Sequence, residues 1–84
     1  MKRWYVVRTK PNGEHIAEVN LAQQGFRAFC PQISAIPSKV RRVPLFPRYL
    51  FVELDLDADL WRSVNGTVGV VGLVQFGPRP SAVP

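Results

Sequence analysis

Leu50, Val52, Leu54 and Leu56 fall on alternate positions of the chain, with Tyr49, Phe51, Glu53 and Asp55 between them. A strand turns successive side chains to opposite faces, so residues 45–56 predict a strand whose aliphatic row builds core. Its other face is aromatic at one end and acidic at the other. Residues 4–9, rich in aromatic and β-branched side chains, predict a first strand closed by the turn Pro11-Asn12-Gly13. Residues 14–24 hold good helix formers and neither Gly nor Pro, and Gly25 supplies a left-handed stop; a helix follows, with Ala17 and Leu21 as its inward stripe. Ile16 and Val19 fall on roughly the opposite side and are candidates for an outer contact.

Residues 26–33 predict a second strand that Pro31 confines to a sheet edge or ends early. Residues 34–44 combine prolines with Lys39, Arg41 and Arg42 and predict a projecting basic loop. Asp57 or Asp59 is expected to cap a short helix with Leu60, Trp61 and Val64 as its buried stripe and Gly66 at its end. Residues 68–76 then form a fourth strand, broken by Gly69 and Gly72, after which Gly77-Pro78-Arg79-Pro80 turns the chain out of the sheet. Strand, helix, strand, strand, helix, strand is the ferredoxin-like, split βαβ order of an α+β fold: a four-stranded antiparallel sheet with two helices on one face. The other face is left open. It carries Tyr49 and Phe51 together with either Trp4, Val6 and Arg8 or Tyr5 and Val7.

The 84 residues are 46% hydrophobic, enough for one small core, so a single domain over residues 1–84 is expected. Lys and Arg number 11 against 6 Asp and Glu, and the net charge of +5 makes a polyanionic partner plausible. Cys30 is the only cysteine, which excludes an intrachain disulfide and a CxxC metal or redox pair and fits a reducing, cytoplasmic setting. No apolar run approaches the roughly 18 residues of a spanning helix, so no membrane role is expected.

An enzyme needs convergent reactive groups, and this chain offers one histidine, His15, and a lone cysteine in an apolar strand. No catalysis is expected. Asp55, Asp57 and Asp59 alternate like a cation loop but lack the glycine and terminal glutamate of one, so capping and solvation explain them and no metal is expected. Gly66, Gly69 and Gly72 lack the spacing of a dinucleotide cradle, and no cofactor is expected. Tyr49 and Phe51 leave two readings open: they pack beneath a loop or terminal segment, or they form an exposed contact patch.

The run Leu45-Phe46-Pro47-Arg48-Tyr49-Leu50-Phe51-Val52, with Trp4-Tyr5-Val6-Val7 opening the chain and an apolar segment ending in Phe76-Gly77, resembles the NusG amino-terminal (NGN) domain, and most resembles its specialised RfaH-like branch. The resemblance spans almost the whole chain. It implies a transcription elongation and antitermination factor that docks on the clamp helices of the largest RNA polymerase subunit and reduces pausing. It makes Phe46, Pro47, Tyr49 and Phe51 contacts rather than core, with Trp4, Arg8 and Phe76 nearby. It turns Lys10, Asn20, Lys39, Arg41 and Arg42 toward upstream or non-template DNA, where phosphate contacts supply salt-dependent affinity. The chain departs from the RfaH pattern at Arg8, Ile16, Asn20, Val43 and residues 60–63, so that protein's DNA element and regulated domain closure are not carried over.

Family members usually continue into a third helix, a linker and a KOW barrel. The expectation here is an NGN domain at residues 1–84 with the third helix and KOW domain absent, and self-association of that form through Tyr49 and Phe51. The alternative from another class is a single-stranded RNA-binding domain of RRM type, which shares the split βαβ order and the spacing of Tyr49 and Phe51. Glu53 and Asp55 on the same face oppose phosphate.

Overall fold

The computed structural model describes residues 1–36 and 39–84, and side chains outside 33–43. Strands β1 (Arg3–Thr9), β2 (Arg27–Phe29), β5 (Tyr49–Leu54) and β6 (Val70–Leu73) form one antiparallel sheet in the order β2-β5-β1-β6. Strands β3 (Gln32–Ile36) and β4 (Lys39–Pro44) form a separate hairpin, and helices α1 (Glu14–Gln23) and α2 (Arg62–Asn65) complete the chain. The architecture is the expected α+β fold with two helices on one face.

The alternation in β5 is realised: Leu50, Val52 and Leu54 are fully buried. Opposite them on β1, pairing from Arg3↔Leu54 to Arg8↔Tyr49 sets the register, and Tyr5, Val7 and Thr9 point into the core. The open face therefore takes the Trp4, Val6 and Arg8 set. Ala17 and Leu21 of α1 and Val64 of α2 close the core from the helical side, with Trp61 beside them. Burying a side chain such as Leu21 or Leu50 stabilises by about 1.5–3 kcal/mol, and this term dominates the fold.

Gly69 lets α1 sit close. Its φ is +91°, and a Cβ there would lie 2.9 Å from the Ala17 nitrogen, a contact no side chain can make. The Gly69 carbonyl accepts from the Lys10 N–H at 2.9 Å, tying the turn between β1 and α1 to the segment before β6, while the Gly13 N–H closes that turn on the Lys10 carbonyl at 2.8 Å.

Several expectations are corrected. The loop expected over residues 34–44 is strand at residues 34–36 and 39–44: Gln32 pairs with Pro44, Ile33 with Val43 and Ser34 with Arg42. The β-branched Ile33, Ile36, Val40 and Val43 carry that strand propensity between the prolines and charges. Strand β5 begins at Tyr49 rather than Leu45, because Pro47 lies in a turn. Helix α2 is a single turn that starts after Trp61, and Leu60 is 85% exposed instead of packed. Its cap comes from neither Asp57 nor Asp59. Asp55 instead organises the preceding turn, its Oδ1 accepting from the Asp57 and Ala58 N–H groups at 3.0 and 3.3 Å.

Strand β6 is shorter than expected, Val70–Leu73, and a bulge between Arg8 and Thr9 shifts the register of its pairing with β1. The chain beyond it turns back rather than out. Gly77, at φ +100°, sits in a loop closed by a Gln75↔Pro80 bridge. Ala82 then bridges Tyr5, and the Val83 N–H donates to the Trp4 carbonyl at 2.8 Å, covering the half of β1 that β6 leaves unpaired. Three exposed ion pairs tie this region to the β5–α2 connection: Met1 ammonium with Asp55 at 2.9 Å, Lys2 with Asp59 at 3.4 Å and Arg79 with Asp57 at 3.3 Å. Exposed pairs are screened by solvent and contribute little beside the core.

Candidate functional site

Register places the open-face side chains in rows across β2, β5 and β1. Phe29, Phe51 and Val6 form one row, and Arg27, Glu53 and Trp4 the next. Tyr49 stands beside Arg8, which faces Gly72 of β6 on its other side. The Arg27 guanidinium lies 6.0 Å from the centroid of the Trp4 ring, within reach of a cation–π contact. Glu53 is thus flanked by a basic and an aromatic neighbour.

Among the described residues no helix covers this face. Phe29 is 55% exposed and Tyr49 39%, so both rings keep apolar surface that a partner would bury. Phe46 reaches it from the turn before β5: its ring meets that of Phe51 edge to face, with centroids 6.3 Å apart and planes at 84°. Pro47 is exposed in the same turn. A shallow apolar groove of about 490 Å³ runs past Trp4, Phe29 and Phe51 and is bordered by Val83 and Pro84.

Six of the seven expected contact residues, Trp4, Arg8, Phe46, Pro47, Tyr49 and Phe51, therefore lie on or beside one surface. Phe76 belongs to no strand and is 83% exposed in the loop after β6. Lys10 is exposed just past the end of β1. Asn20 lies on α1, behind the sheet, and its amide Nδ2 donates to the Ile16 carbonyl at 2.8 Å. The side chains of Lys39, Arg41 and Arg42 lie outside the described residues, and their backbone forms β4. Ile16 and Val19 are exposed on α1, as the helical spacing predicts.

Two members of the surface escape the sequence, Phe29 and Arg27. Strand β2 has three residues, with Ala28 partly buried between exposed neighbours, too short a segment for alternation to reveal. Pairing with β5 decides it.

Nothing on this face suggests bond-making chemistry. Among the described residues no three His, Cys, Asp or Glu side chains converge. Burial pushes the Cys30 thiol pKa up, and the Glu18 and Glu14 carboxylates push it further, which disfavours the reactive thiolate. What the arrangement can do is accept an apolar, helix-sized or loop-sized surface along a rigid sheet.

The sequence matches the family model described as NusG, transcription termination factor nusG, over residues 2–84. The Thermus thermophilus transcription termination/antitermination protein NusG is 31% identical, the match covering 92% of this chain and 53% of that protein. The Staphylococcus aureus protein of the same name is 31% identical over 87% of this chain and 48% of its own length. A solved structure described as domain interaction in Thermotoga maritima NusG is similar with a TM-score of 0.68 and 26% identity, covering 100% of this chain and 51% of that one. The chain spans about half the length of the curated relatives it matches.

Proposed function

This chain belongs to the NusG family, and on that premise we propose that it serves transcription elongation and antitermination by docking its open sheet face on RNA polymerase, at the clamp helices of the largest subunit, and so reducing pausing in the cytoplasm. The observation that carries the reading is the half-exposed lattice of Trp4, Val6, Phe29, Tyr49 and Phe51, extended by Phe46. A rigid, partly exposed aromatic face is the kind of surface on which a few anchors supply most of the binding free energy.

Lys10, Asn20 and the basic residues of β4 are proposed to meet upstream or non-template DNA. Asn20 is carried by the helix that packs behind the sheet, so this role leaves the aromatic face free for protein. An RNA-binding sheet is not favoured, because Glu53 lies on β5 in the row next to Phe51, where its carboxylate would oppose a phosphate backbone.

Capture of core RNA polymerase by the immobilised domain, compared with binding of single-stranded RNA, tests the reading. Retention of polymerase that is lost in Phe51→Ala supports it. Binding of RNA in preference to polymerase overturns it.

A further inference from the structure

Residues 46–49 form a tight turn in which the Tyr49 N–H donates to the Phe46 carbonyl at 3.1 Å. Pro47 holds the second position and Arg48 the third, with φ +70°. Proline followed by a positive φ is the type II form. Arginine is ill suited to that third position, because its Cβ crowds the backbone in the left-handed region. Left to itself, a Pro-Arg pair favours type I, which differs by a half-turn of the peptide between residues 47 and 48. Something outside the turn has to hold that peptide.

The Arg48 N–H donates to Glu14 Oε2 at 2.8 Å, and the Arg48 carbonyl accepts from the Thr9 N–H at 2.8 Å. Only the first bond reads the orientation of the central peptide, since that N–H belongs to it. A half-turn would aim the N–H away from α1 and bring the Pro47 carbonyl toward the carboxylate, oxygen against oxygen. Glu14 is buried in the first turn of α1, so its carboxylate has little freedom to follow. One helical turn on, Glu18 Oε2 accepts from the Cys30 N–H at 3.1 Å, and the Leu45 N–H donates to the Pro31 carbonyl at 2.7 Å. The helix thereby holds the chain both where it leaves the sheet after β2 and where it re-enters at β5.

We propose that Glu14 is the positioning residue of the aromatic face: by accepting the Arg48 N–H it selects the type II turn, which sets Phe46 edge-on against Phe51 and starts β5 with Tyr49 beside Arg8. This inference rests on the proposal that the face docks on RNA polymerase.

The test uses Glu14→Met, which fills similar space without an acceptor, with Glu14→Ala giving the same readouts should methionine fail to pack. In the free protein, nuclear Overhauser effects report the turn: the contact between Pro47 Hα and the Arg48 amide proton is strong in type II and weak in type I. The expected result is loss of that contact and of the Phe46–Phe51 ring contacts. Polymerase affinity falls about tenfold, as it must if the competent turn is populated about a tenth of the time. Glycine tolerates the positive φ, so Arg48→Gly added to the Glu14 variant restores the type II pattern and brings affinity back to within about twofold of wild type.

A type II pattern that persists without Glu14, or that Arg48→Gly fails to restore, overturns the proposal. So does a lost turn with unchanged affinity while Tyr49→Ala, Phe51→Ala or Phe29→Ala weakens binding. If all three of those variants bind polymerase as wild type does, the docking assignment itself is overturned, whatever the turn does in the free protein.

Discussion

Val6 and Phe51 are cross-strand partners at the centre of the sheet, on the face that no helix covers. Phe29 completes their row from β2, so three apolar side chains lie in line across three strands. The row is supported from behind by core, and in front the Phe46 ring meets Phe51 while Phe29 stays more than half exposed.

Because these side chains lie outside the main core, Tyr49→Ala, Phe51→Ala and Phe29→Ala are expected to weaken polymerase binding more than they destabilise the fold. We expect losses of about tenfold or more for at least one anchor, with unfolding midpoints near wild type. Titration of polymerase with each variant, alongside thermal unfolding, checks this. Normal binding by all three would show that the patch is misplaced.

Charge at β4 is expected to act through phosphate. Arg41→Ala with Arg42→Ala should reduce association with a complete elongation complex, and the difference should shrink as salt rises. Binding to an isolated clamp-helix fragment should stay unchanged. Equal losses on both targets at every salt concentration would contradict the division between protein and DNA contacts.

Gly69→Ala tests the approach of α1 to the sheet. The new Cβ would sit 2.9 Å from the Ala17 nitrogen at a φ of +91°. Left-handed strain alone costs about 1–2 kcal/mol, and the backbone clash adds to it. Denaturant unfolding should show a loss of about 2 kcal/mol or more, whereas Gly66→Ala, with ordinary space around it, should lose less than half of that.

Asp55 carries the pH dependence. The Met1 ammonium, then the N–H groups of Asp57 and Ala58, hold its carboxyl below the usual carboxylate range, against a smaller opposing effect of burial. A depressed folded pKa contributes stability that is present above the unfolded value and is lost as pH falls through the folded one. Asp55→Asn should therefore unfold at lower temperature than wild type near neutrality, with the gap closing in acid below the carboxylate range. A gap independent of pH would assign the loss to the hydrogen bonds alone.

The alternation of residues 50–54, the helical stripe of Ala17 and Leu21 and the stop at Gly25 were legible in the sequence, because each is a local period or a local backbone requirement. The run Phe46-Pro47-Arg48-Tyr49 pointed to this surface through family resemblance, since the local pattern left Tyr49 and Phe51 open between core and contact. Leu60 misled because a one-turn helix has too few positions to define a face. The hairpin of β3 and β4 was hidden by prolines and charges, whose turn signal outweighed the β-branched residues between them.

Alternation within β1 separates Trp4, Val6 and Arg8 from Tyr5, Val7 and Thr9, yet nothing local says which set faces the helices. Only register with β5 decides, since a shift of one residue exchanges the two faces. The same long-range pairing brings Phe29 and Arg27 from a three-residue edge strand onto the aromatic surface. Glu14 meets the Arg48 backbone across a sequence separation of 34 residues. No period within a segment encodes such a meeting; it exists once helix and sheet have packed, and that packing determines where the turn before β5 places its aromatic ring.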